Sequence, residues 1–151
     1  MTDLYASFTV AVVKLNKIVQ RIKSVEMGKY GLQPIHASCV YYLIKNPQGL
    51  TAKELCDLTL EDKAAISRAI KVLQEKGYVE YAPHGRNEIV RLTDEGAKLA
   101  ADINVKINSA VDAGSANMTD EQRKFFYNSL MEISDNLIEY YKDLIKSEDD
   151  K

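Results

Sequence analysis

The sequence predicts a mainly α chain with a small β-hairpin near its middle. Three observations carry this prediction. Apolar residues recur every three or four positions over long stretches at both ends. Between residues 51 and 77, two short helices with capping residues follow each other closely. From residue 78 to residue 92 the composition turns to β-branched and aromatic residues around a turn-forming "PHGRN".

From Phe8, the residues Ala11, Val12, Leu15, Ile18, Val19 and Ile22 follow helical spacing, so residues 3–25 read as one long amphipathic helix ending near Gly28 and Gly31. Pro34 suits the first turn of a second helix, which carries Ile35, Val40, Leu43 and Ile44 and stops at "NPQG". Thr51 and Glu54 stand in capping-box spacing and start a short third helix. Asp62 can cap a fourth, running to Gln74 or Glu75, and Gly77 can supply the left-handed residue that ends it. The third and fourth helices, joined by a tight turn, form a helix-turn-helix candidate.

Residues Tyr78–Ala82 and Glu88–Leu92 are the expected hairpin strands. Helix resumes at Thr93 or Asp94 and carries Ala100, Ile103, Ile107 and Val111 to Gly114. A second capping box, Thr119 to Gln122, opens a last helix with Phe126, Leu130, Ile133, Leu137, Tyr140 or Tyr141, and Leu144 on one stripe, and the acidic "SEDDK" tail is expected to fray. The chain divides into an N-terminal helical segment (1–31), a central segment (32–92) and C-terminal helices with an acidic tail (93–151), all integrated in one domain. The long outer helices would leave apolar stripes uncovered in a single chain, which favours pairing with a second copy.

A chain of 151 residues with 46% hydrophobic and 28% charged residues can bury one globular core. No segment is apolar for long enough to span a membrane, and the N-terminus lacks signal-peptide character, so a cytoplasmic protein is expected. The net charge of −2 hides an uneven distribution. Residues 63–91 hold six basic side chains (Lys63, Arg68, Lys71, Lys76, Arg86, Arg91) against three acidic ones, whereas residues 112–151 hold ten acidic against five basic. The central segment is the face suited to a polyanion.

Within the fourth helix, Ile66, Ala69, Ile70 and Leu73 fall on one side, and Lys63, Ala64, Ser67, Arg68 and Lys71 fall on the other. Small side chains let a helix approach base edges. Alanine can touch a thymine methyl, serine can donate to phosphate or base, and arginine can read guanine with two hydrogen bonds. An ordinary solvated helix face has the same look, and the neighbouring elements weigh against that reading: a capped helix precedes the stripe and a turn with His84 and Arg86 follows it. An arginine on such a tip suits a narrow minor groove.

The segment "LTAKELCDLTLEDKAAISRAIKVLQEKGYVEYAPHGRNEIVRLTDEG", residues 50–96, resembles the winged-helix regulators of the multiple antibiotic resistance (MarR) family. The likeness is carried by the Leu50–Thr51 opening, the Ser67–Arg68 pair in an alanine-rich helix, the "LQEKGYVE" exit and the "LTDEG" after the hairpin. It implies a winged helix-turn-helix flanked by long dimerisation helices, a homodimer on pseudo-palindromic double-stranded DNA, and repression relieved by a small signal. It places Lys63, Ala64, Ser67, Arg68 and Lys71 against bases and flanking phosphates, Thr51 near the backbone, and Arg86 as the wing arginine. Where the family commonly has an aspartate two residues before that arginine, this chain has His84.

In this family an effector cleft lies between dimer helices and DNA-binding domain, and His36, Cys39, Tyr41 and Tyr42 are the residues that would line it for a small organic effector. Tyrosines at such spacing more often serve core or dimer packing. Cys39 and Cys56 lack CxxC spacing and read as core thiols; a thiol-based redox sensor would need a low-pKa, accessible cysteine. The two histidines lie far apart, no nucleotide, zinc-hydrolase or nucleophile-elbow motif occurs, and no metal, cofactor or catalysis is expected. A winged-helix module that binds only protein is the alternative to a DNA-binding regulator.

Overall fold

The computed structural model describes residues 3–83 and 88–149. Eight elements follow in order: α1 (Asp3–Gly28), α2 (Pro34–Lys45), α3 (Ala52–Thr59), α4 (Lys63–Glu75), β1 (Val79–Tyr81), β2 (Val90–Leu92), α5 (Asp94–Gly114) and α6 (Asp120–Asp149). They form two compact units, Met1–Ile107 and Asn108–Lys151.

In the first unit, local chemistry sets the helix ends. Pro34 occupies the first turn of α2, where its missing N–H costs nothing, and the Gln33 N–H donates to His36 Nδ1 (2.8 Å). At α3 the expected capping box forms: the Glu54 N–H donates to Thr51 Oγ1 (3.2 Å) and the Thr51 N–H to Glu54 Oε2 (2.7 Å). Helix α4 ends in a Schellman motif, with the Tyr78 N–H donating to the Leu73 carbonyl (2.9 Å) and the Gly77 N–H to that of Gln74 (3.0 Å). Gly77 takes φ +78°, which a glycine adopts without a Cβ penalty.

The core gathers buried residues from each helix of the first unit. Leu55, Ile66 and Leu73 are fully buried with Cys39, Val40, Leu43, Val79 and Val90 around them. Each such aliphatic side chain contributes about 1.5–3 kcal/mol. Glu26 on α1 accepts from both Lys29 and Lys106, each at 3.0 Å, tying α1 to α5.

The hairpin is antiparallel, with Val79 opposite Leu92, Glu80 opposite Arg91 and Tyr81 opposite Val90. Its strands are shorter than the sequence predicts; at the start of β1 the Tyr78 N–H is consumed in the Schellman motif and cannot enter the ladder. An unforeseen partner appears instead: Leu50 and Val90 exchange both backbone hydrogen bonds (2.9 and 2.8 Å), fastening the α2–α3 connection to β2.

In the second unit, Thr119 and Gln122 form the expected reciprocal cap (2.9 and 3.2 Å), and Arg123 pairs with Asp112 at 3.0 Å. Helix α6 runs through Asp149, beyond the point where fraying is expected at Ser147; the Ser147 hydroxyl donates to the Leu144 carbonyl (2.8 Å) within the last turns. Phe126, Ile133, Leu137, Tyr140, Tyr141 and Leu144 of α6 are exposed, and none of its described residues is buried.

Candidate nucleic-acid interface

Helix α4 is held rigidly at both ends. At its start the Ala65 N–H donates to Asp62 Oδ1 (2.7 Å), a side-chain cap on an otherwise orphan donor. At its end, Thr93 bridges to the next helix. Its hydroxyl donates to the Gly77 carbonyl (2.6 Å) and accepts the Gly96 N–H (3.1 Å), while its own N–H donates to the Tyr78 carbonyl (3.1 Å). Gly96 is required there, since a Cβ would lie 1.9 Å from that Tyr78 oxygen.

Between these anchors, Ile66, Ala69, Ile70 and Leu73 point into the core. Lys63, Ala64, Ser67, Arg68 and Lys71 are all exposed, so the structure brings the five onto the outer face of one helix. Among the described residues, no carboxylate stands within ion-pair distance of Lys63, Arg68 or Lys71. A surface of this kind offers three uncommitted cations and, between them, two side chains small enough to let a helix backbone approach a groove floor.

Thr51 is placed differently from these five. Its hydroxyl and backbone N–H both lie within hydrogen-bond distance of Glu54 Oε2 (3.1 and 2.7 Å), so its polar groups are committed to capping α3. Arg86 and His84 lie outside the described residues. At the base of the hairpin, Arg91 pairs with Glu80 at 2.9 Å, which neutralises one of the six basic groups in the central segment.

The four residues considered for an effector do not share one environment. His36 and Cys39 are buried, Tyr42 is half-buried, and Tyr41 is exposed with its ring edge-on to that of Tyr42 (5.1 Å between centroids). His36 Nδ1 is occupied as an acceptor, and burial holds the imidazole below its ordinary pKa, with the Lys76 charge acting in the same direction. Burial also pushes the Cys39 thiol up to about 12, with the Glu61 charge adding to it, so it stays protonated and unreactive at neutral pH. Two open surface depressions lie away from these four residues. One is lined by Arg21, Ile22, Val25 and Glu26 of α1, and the other lies at the hairpin base around Glu80, Arg91 and Asp94.

No group of three or more histidine, cysteine or carboxylate side chains able to hold a metal occurs among the described residues. No helix among them is long and apolar enough to cross a membrane. One exposed residue beside the stripe had no signal in the sequence: Leu60, in the turn between α3 and α4.

Residues 30–88 match the model of a family described as the MarR family. No curated protein sequence matches the chain. Solved structures do. A MarR transcriptional regulator from Methanosarcina mazei superposes with a TM-score of 0.81 at 25% identity, covering 88% of this chain and 90% of the other. A MarR protein from Peptoclostridium difficile gives 0.80 at 23% identity, over 94% and 95% of the two chains. A MarR family protein of Mycobacterium tuberculosis, in a structure complexed with DNA, gives 0.67 at 21% identity, over 83% and 95%.

Proposed function

We propose that the chain is a member of the MarR family, whose model its residues 30–88 match, and that it is a sequence-specific DNA-binding transcriptional regulator. It acts as a homodimeric repressor on a pseudo-palindromic operator and is released by a small organic molecule. The observation that carries this reading is the α4 stripe: Lys63, Arg68 and Lys71 exposed without acidic partners among the described residues, with Ala64 and Ser67 between them. The M. tuberculosis relative, of the same fold, is solved in complex with DNA.

In this reading α4 enters the major groove. Arg68 supplies a two-pronged donor for guanine, Ser67 and Ala64 permit close approach, and Lys63 and Lys71 neutralise flanking phosphates. Thr51 serves through the cap that fixes α3 under the backbone, and Arg86 extends the contact toward the minor groove. The α4 caps fix the helix before DNA arrives, so little ordering entropy is lost on binding.

The exposed apolar residues of α1 (Leu15, Ile18, Val19, Ile22) and of α6 (Ile133, Leu137, Leu144) support a second copy as the partner that covers them. A two-fold dimer presents two α4 helices, which fit half-sites about 10 bp apart. In this reading the role of the chain is binding. His36, Cys39, Tyr41 and Tyr42 serve an effector only if α2 opens, since His36 and Cys39 are enclosed.

The decisive experiment is selection of duplexes from a random library by the purified chain at physiological salt, with sequencing of the retained pool and sedimentation of the complex. An enriched inverted repeat bound by two chains is expected. Arg68→Ala should then weaken binding by about 1–3 kcal/mol and relax preference at one base pair of each half-site. Retention that is equal for all duplexes and insensitive to salt would instead favour a module that binds protein.

A further inference from the structure

Leu60 links α3 to α4 with φ 59° and ψ 23°, and it is the only non-glycine residue among those described with a left-handed backbone. The residue is also 73% exposed. An L-residue pays for this conformation because Cβ crowds the following carbonyl oxygen, and glycine or asparagine adopt it at lower cost. Such outliers persist where the surroundings impose them, and they gather at binding sites.

The surroundings here account for the backbone. The Thr59 hydroxyl donates to the Leu55 carbonyl (2.6 Å) and accepts the Glu61 N–H (3.3 Å), and Asp62 then caps α4. Those bonds would hold the same turn around an asparagine. They do not account for a leucine side chain, which meets a backbone penalty and gains little burial within the chain. An exposed leucine alone is commonplace; the combination with a left-handed backbone is not. Its position is also specific, two residues before the cap of α4 and three before Lys63, which opens the basic stripe.

We propose that Leu60 is an apolar DNA-contacting residue. Its side chain packs against a hydrophobic part of the bound duplex, a thymine methyl or a deoxyribose, beside the polar contacts of α4. This rests on the DNA-binding reading above. Because leucine displaces no counterions, it adds affinity without steepening the salt dependence, which Lys63, Arg68 and Lys71 set.

The test uses the full chain and the inverted repeat that the wild type enriches. Leu60→Asn should melt at the same temperature as wild type or about 2–4 °C higher, yet bind the duplex about tenfold more weakly, with an unchanged slope of affinity on salt. Leu60→Ala lacks the local side-chain hydrogen bond by which asparagine offsets the left-handed backbone, so it should lose affinity without the gain in melting temperature. Lys71→Ala, a phosphate contact, should instead lower the slope by about one. Replacing thymine by uracil at single positions separates the two sources. Loss of discrimination between wild type and Leu60→Asn on a uracil duplex identifies the methyl, and undiminished discrimination identifies the sugar.

Binding by Leu60→Asn within twofold of wild type, while Lys71→Ala is weakened, would overturn the role of Leu60 alone. Failure of the wild type to retain any duplex in a salt-dependent way would overturn the DNA-binding reading, and the role of Leu60 with it.

Discussion

The central segment and the outer helices solve the same problem in different ways. From Leu50 to Ile103, each apolar face finds a partner inside one chain: α4 buries four residues, α5 buries four, and both strands of the hairpin contribute a valine. By contrast α1, with 26 residues, buries only Met27, and α6, with 30, buries none of those described. The central segment also carries side-chain caps at α3 and α4 and a Schellman stop. Its stability is therefore intrinsic to the chain, whereas the outer helices depend on whatever covers them, and with a second copy as cover their stability rises with protein concentration. A segment whose geometry is fixed in advance is suited to recognition; helices that depend on a partner are suited to linking two recognition units.

The sharpest way to break the intrinsic half is at Gly96. A Cβ there would meet the Tyr78 oxygen at 1.9 Å, and that oxygen is held by the Thr93 N–H at 3.1 Å, so neither backbone can yield cheaply. Gly96→Val should cost about 3 kcal/mol or more in urea unfolding. A cost below about 1 kcal/mol would mean that the junction between β1 and α5 is loose, and that the contrast with the outer helices is overstated.

What the sequence revealed divides along the same line. Thr51 with Glu54, Asp62, and Gly77 were legible because a cap is written within four residues, and the α4 stripe was legible because helical spacing alone decides which side chains share a face. The close approach at Gly96 and the pairing of Leu50 with Val90 were not, since both depend on contacts between elements far apart in the chain. Leu60 was illegible for a different reason: a left-handed turn is announced by glycine or asparagine, and this turn carries neither. His36 stood out in the sequence as a residue to line a pocket, and the structure uses it as an acceptor at the start of α2.

His36 supplies the next test. Its neutral ring accepts the Gln33 N–H, and burial holds its folded pKa below the ordinary 6.5, with the Lys76 charge on the C-cap of α4 pushing the same way. The unfolded chain therefore takes up the proton first. The stabilising contribution is complete above about pH 6.5 and is lost as pH falls below that value toward the folded pKa. The loss is bounded by the roughly 0.5–1.5 kcal/mol of one part-buried hydrogen bond. Urea unfolding at pH 7.5 and pH 5 should show it in the wild type and show a smaller difference in His36→Leu. An identical pH response in both proteins would mean that the α2 start is not sensitive to this ring.

The smallest effect expected is at Asp62, where one carboxylate does two things that point in opposite directions. As a hydrogen-bond acceptor it holds the Ala65 N–H at 2.7 Å, and as an anion it complements the positive end of α4. In the DNA-binding reading the same charge stands next to Lys63 and close to phosphate, where it weakens attraction. Asp62→Ala removes both functions and should cost about 1 kcal/mol of stability, together with some affinity as the first turn of α4 loosens. Asp62→Asn keeps an acceptor and removes the charge, so it should cost only a few tenths of a kcal/mol while binding DNA more tightly than wild type at low salt. The gain should vanish as salt is raised. If Asp62→Asn binds more weakly at every salt concentration, its charge is used in the complex itself, as an acceptor for a cytosine amino group, and the reading edge of α4 begins one residue earlier than the basic stripe.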